Sequence, residues 1–202
     1  MIKNLFNNSA AVTAFWTWFL EHEPFYYHLE LYDTDDLFEK LCYELHKIDE
    51  NLTFEFTSIL PNRKREFTIS ADGIRASFPA VLGLIKAAPK LDHWDIVAFR
   101  QPAPIPICIK IEDIALSYTD IMFQYYIHNR ELALTLFIKD LVPNNQIYEV
   151  ATCILLDALL GEYDAVTKIR YVDLQPLKSH HILEELHPFP MLKTIVKQRA
   201  CN

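Results

Sequence analysis

Residues 66–100 read EFTISADGIRASFPAVLGLIKAAPKLDHWDIVAFR, and this stretch decides the fold. Phe67 and Ile69 alternate with Glu66, Thr68 and Ser70, the period of a half-buried strand. Asp72-Gly73 breaks the run, because Gly reaches positive φ without strain and Asp tolerates turns. Ser77 is placed to cap a helix, and Pro79 fits its first turn, where a missing N–H costs nothing. Val81, Leu82, Leu84 and Ile85 give that helix one apolar stripe. Ala87-Ala88-Pro89 ends it, since the residue before Pro is pushed out of the α region. Ile96–Phe99 is apolar throughout, the pattern of a central strand covered on both faces. A helix joining two strands packs back on their sheet.

Outward from this hub the pattern predicts a helix on each side. Upstream, Asn8 or Ser9 is placed to cap a helix from Ala10 to His22 after a frayed lead of residues 1–8. Its stripe is Val12, Phe15, Trp16, Phe19 and Leu20, and Trp18 falls off it. A second helix, Asp35–Ile48, opens on acids that suit the positive end of its dipole. Leu52, Phe54 and Phe56 alternate with polar residues and form a hairpin with the Glu66 strand through Pro61-Asn62-Arg63. Downstream, QPAPIP (residues 101–106) removes ladder donors and reads as an extended connector. Strands follow at residues 107–111, 120–128 and 132–138, with a turn at Asn129-Arg130. Asn144 or Asn145 caps a helix to Leu160 with the stripe Ile147, Val150, Ala151, Ile154, Leu155, Ala158 and Leu159, and Gly161 stops it. Glu162-Tyr163-Asp164 reads as a loop. A last strand lies around Ile169–Val172, a short helical turn at residues 179–187, and a terminal helix or tail at residues 189–197. The fold predicted is one α+β domain. A mixed, mostly antiparallel sheet of six or seven strands carries the N-terminal helical pair and the 145–160 helix.

Composition excludes several classes of function. Only three glycines occur, at 73, 83 and 161, too few for a phosphate or dinucleotide loop. A net charge of −8 argues against nucleic acid, which needs a basic face; the basic run Arg63, Lys64 and Arg65 is a local patch, which solvation in a hairpin turn explains. No apolar run approaches the roughly 20 residues a membrane span needs, and MIKNLFNNSAAVT is not a signal peptide. Neither membrane nor nucleic acid is expected as a partner. Cys42, Cys108, Cys153 and Cys201 contain no CxxC pair, and Cys108 and Cys153 sit in apolar patterns. They read as reduced structural thiols in a cytoplasmic protein.

No constellation of catalytic residues stands out. There is no GxSxG elbow and no HExxH pair. His180, Glu184 and His187 share a helical face suited to zinc, but solvated surface explains them, and no metal or cofactor is expected. Glu55 and Glu66 are close enough in the hairpin to perturb each other, unless Arg65 or Arg100 pairs with them. The polar face of the expected sheet supplies Glu55, Thr68, Arg100, Gln124, Tyr126 and His128. This mixture of carboxylate, guanidinium, amide, phenol and imidazole is what a small-molecule or peptide pocket uses. Trp18 and the loop Glu162, Tyr163 and Asp164 are the candidates for facing a partner.

The segments ISADG, FPAV, AAP, Trp94 and IVAFRQP, with LLDALLGEYDAVTKI further on, resemble a family of uncharacterised bacterial proteins of about this length. The resemblance covers Phe15 to Val172. It implies a bacterial cytosolic domain and carries no catalytic residues with it. The residues themselves point first to a non-catalytic binding or interaction module, regulatory or inhibitory, whose acidic surface meets a protein partner with a basic one. The alternative is an enzyme with a dispersed small-molecule site on the sheet, using Glu55, Arg100, Tyr126 or His128.

Overall fold

The computed structural model describes residues 2–129, 131–178 and 186–200. The chain divides into two compact units, residues 1–100 and 101–202.

In the first unit, helix α1 (Ile2–Tyr27) and helix α2 (Thr34–His46) precede strands β1 (Thr53–Phe56) and β2 (Arg65–Ser70). Helix α3 (Phe78–Lys86) then leads to strand β3 (Trp94–Ala98). The sheet order is β1-β2-β3. β1 pairs antiparallel with β2, and β3 runs parallel to β2 across the α3 crossover. Phe67 and Ile69 are fully buried. Phe19 of α1 stacks on Phe67 with ring centroids 5.1 Å apart, and Trp16 Nε1 donates to the Leu84 carbonyl of α3 at 3.0 Å. The apolar positions of the alternation are thus buried, but Thr68 and Ser70, expected on a polar face, are buried as well, at 5% and 0% exposed, so β2 is covered on both faces. The guanidinium of Arg65 is drawn into this core, where it donates to Tyr26 O at 2.8 Å and to Glu30 Oε2 at 3.2 Å.

Local details differ from the sequence reading. α1 runs from Ile2 and continues through Pro24 to Tyr27, so Asn8 and Ser9 sit inside it and cap nothing. Only the last turn follows Pro24, so its missing N–H breaks a single bond near the end. Ser77 makes no capping bond. Its hydroxyl donates instead to Asp49 Oδ1 at 2.9 Å and accepts from Asn51 Nδ2 at 3.1 Å. β3 is an edge strand of its sheet, not the centre of a larger one.

The second unit begins with hairpin β4 (Cys108–Ile111) and β5 (Ile114–Ser117). Strands β6 (Ile121–His128) and β7 (Glu131–Ile138) follow, then helices α4 (Gln146–Leu160) and α5 (Glu162–Lys168). Strand β8 (Ile169–Pro176), the two-residue β9 (His187–Pro188) and helix α6 (Met191–Ala200) complete it. The main sheet has the order β8-β7-β6-β9, with β8 parallel to β7 and the other pairs antiparallel. Ile121 and Phe123 of β6 and Leu132, Leu134, Leu136 and Ile138 of β7 form its inner face. α4 covers that face with Leu155 and Leu159, and α6 adds Leu192 and Val196.

The fold is α+β and mostly antiparallel, but its strands form three sheets of three, two and four strands among the described residues. A single sheet of six or seven does not form. The physical reason lies at residues 99–106. Phe99 turns the chain at φ 63° directly after β3, and the three prolines that follow have no N–H to offer a ladder. The Glu162–Asp164 loop is instead the first turn of α5, entered through Gly161 at φ 84°. The short helical turn expected at residues 179–187 lies outside the described residues up to 185. His187 is in β9.

Candidate functional site

The residues expected to form a polar pocket separate into two groups. Glu55 and Arg100 belong to the first unit and meet there: Arg100 Nε donates to Glu55 Oε1, and a terminal nitrogen donates to Asp72 Oδ1 at 2.9 Å. Partial burial works against the charge of Arg100, but its bonds to Glu55 and Asp72 outweigh that and raise its pKa. Glu66 does not pair with Glu55; its Oε1 accepts from the Thr68 hydroxyl at 3.1 Å. Gln124, Tyr126 and His128 belong to the second unit, on the outward face of β6. They sit opposite Thr135, Ala133 and Glu131 of β7. The two groups thus occupy different sheets.

Trp18 is half-buried and stacks on His22 with centroids 4.8 Å apart. Glu162 is fully buried, so its side chain cannot face a partner, whereas Tyr163 is 45% exposed. Asp164 is half-buried. Cys42, Cys108 and Cys153 are free thiols, and Cys108 and Cys153 are exposed, not buried as their apolar neighbours suggest. Among the described residues no cluster of three or more His, Cys, Asp or Glu could hold a metal. His180 and Glu184 of the zinc-like set, and Cys201, lie outside them.

One concavity is not announced by the sequence. A cleft of about 750 Å³ is lined by residues of β8, of α4 and of the segment 141–145. All six residues from Tyr171 to Pro176 line it. Consecutive residues of one strand can line the same space only where the backbone edge itself faces it, because side chains alternate between faces. Among the described residues β8 is the terminal strand of its sheet, so that edge has no neighbouring strand.

Which backbone groups face the cleft follows from the ladder. Leu177 N donates to Ile138 O at 2.8 Å, and Ile138 is paired with Pro176. In a parallel ladder this makes Tyr171, Asp173 and Gln175 the residues bonded to β7. Val172 and Leu174 therefore turn their N–H and C=O groups outward, and Pro176 offers only a carbonyl.

The opposing wall is fixed in place. Asn145 Oδ1 accepts from Ile147 N at 3.0 Å and caps α4, while the Tyr148 hydroxyl donates to the Asp140 carbonyl at 2.8 Å. Asp140 and Asn144 take positive φ, 55° and 60°, which both residue types tolerate. Thr152 is 2% exposed and lines the cleft, and its hydroxyl has no hydrogen-bond partner. The charged residues of the lining are Glu149 and Asp173; no Lys or Arg is among them. Cys153 also lines it. Although the residue is exposed overall, partial desolvation of its thiol first, then the charges of Asp157 and Glu149, push the thiol above the ordinary cysteine range, the direction opposite to that of an activated cysteine.

α4 is rotated relative to the stripe expected of it. Tyr148, Ala151, Thr152, Leu155, Leu156 and Leu159 are buried, whereas Val150 and Ile154 are 51% and 40% exposed. No family model, curated protein or solved structure matches this chain. Among the described residues no helix is long and apolar enough to cross a membrane.

Proposed function

We propose that this chain is a non-catalytic binding module of α+β fold, cytoplasmic and bacterial, whose second unit engages a protein partner with a basic surface. The observation that carries the reading is the cleft along β8. It joins a strand edge with no neighbour among the described residues, a partly apolar wall and a lining whose only charges are acidic. Such a combination suits the backbone and side chains of another protein better than a small metabolite, which needs convergent polar groups. The net charge of −8 supports it further by steering basic partners. The enzyme reading is less well supported. Arg100, its most useful cation, already donates to Glu55 and Asp72, and the surroundings of Cys153 shift its thiol away from the reactive thiolate.

Site-specific photo-crosslinking in cells that make the protein tests this reading. A photoreactive residue at exposed Gln175 should give a discrete protein adduct, and one at Tyr43, exposed in the first unit, should not. No adduct at Gln175, or the same adducts from both positions, would overturn it.

A further inference from the structure

We propose that the cleft takes an extended peptide segment of about six residues, paired by its backbone with the outer edge of β8 and presenting a lysine or arginine to Glu149 and Asp173. The inference rests on the binding-module reading and names the partner's chemistry. Val172 and Leu174 each present an outward N–H and C=O, which an added strand satisfies and a helix cannot, because a helix satisfies its own backbone. The ladder ends at Pro176, which has no N–H, so this residue sets one limit of the pairing. Leu156 and Leu141 supply apolar contact for alternate side chains, and the unpartnered Thr152 hydroxyl supplies a polar atom beneath them.

Charge selects the occupant. The lining holds two acids and no base, so an acidic strand would be repelled. A second copy of this chain is disfavoured for the same reason. Antiparallel pairing of β8 with itself around Asp173 sets Asp173 and Glu149 against their own counterparts. A segment from another protein that alternates β-branched residues with a basic one meets both requirements.

The test uses the full chain and a pool of acetylated, amidated hexapeptides of alternating valine and threonine with one lysine at each position in turn. Amide hydrogen exchange at Val172 and Leu174 should slow at least tenfold with this pool. The same pool N-methylated at every backbone nitrogen, which blocks both edges of the peptide, should leave exchange unchanged. A pool with glutamate in place of lysine should bind about tenfold more weakly, a preference that E149Q combined with D173N should remove. Equal binding of the N-methylated pool would overturn strand pairing while leaving the binding-module reading intact. Equal binding of the glutamate pool would overturn the charge assignment. Slow exchange at both amides without peptide, strengthening with protein concentration, would assign the edge to a second copy and overturn the proposal. So would no binding by any pool, and the crosslink at Gln175 would then decide separately whether the broader reading survives.

Discussion

At the scale of single residues, burial of polar groups decides the chemistry. Tyr26 is 1% exposed and its hydroxyl donates to the Leu37 carbonyl at 2.9 Å. Burial first, then the nearby charge of Glu44, pushes its pKa up from 10.0 to about 12. The neutral phenol is the form the fold holds, while in the unfolded chain it ionises at its ordinary value. Its contribution to stability is therefore complete below about pH 10 and is lost as pH rises from there to about 12. Urea melts across pH 9–12 should show wild type losing stability relative to Y26F in that window. Parallel curves would contradict the burial of this hydroxyl. Below that window Y26F should cost about 1 kcal/mol for the lost bond to Leu37.

At the scale of elements, α4 is the sharpest test of packing. Its apolar residues support two stripes one position apart. The sequence favours the one through Val150 and Ile154, because Tyr148 and Thr152 look too polar for a core. The structure buries Tyr148 by giving its hydroxyl the Asp140 carbonyl, and it turns Thr152 toward the cleft. L155A should cost about 2–5 kcal/mol, as a fully buried leucine does. I154A should change stability by about 0.5 kcal/mol or less, because its side chain is 40% exposed. Chemical denaturation of the two variants checks the rotation, and the opposite order would restore the stripe the sequence suggests.

The same comparison shows what is legible locally. β2, β6, β7, α3 and α4 are found from their periods, since each sets an apolar row against a core of its own unit, although β2 and β7 are buried on both faces. β5 escapes because four residues after a turn carry too little pattern. α5 escapes because a glycine serves both as the stop of one helix and the entry to the next. The cleft escapes for a different reason. An edge is a property of strand order, and strand order depends on distant pairing that no local alternation encodes. The one local hint was a threonine at 152 among the apolar residues of a helix.

At the scale of the whole molecule, the chain forms two units of about a hundred residues, each with its own buried cluster. Chains of that length bury enough surface to fold alone. Residues 1–100 expressed separately should melt in one cooperative transition, monitored by near-ultraviolet circular dichroism through Trp16 and Trp94. A fragment without near-ultraviolet signal would show that its core needs the rest of the chain. The hub of residues 66–100 thus organises the first unit, and the function we propose belongs to the second.

The account turns on β8 having an open edge, and amide exchange of the unliganded protein measured residue by residue reads that directly. Asp173 and Gln175 should be strongly protected by their bonds to β7, while Val172 and Leu174, one residue away, should exchange much faster, because an amide outside the ladder needs no opening of it to exchange. Uniform protection across residues 171–175 would mean that the edge is already covered, and the cleft could not receive a strand.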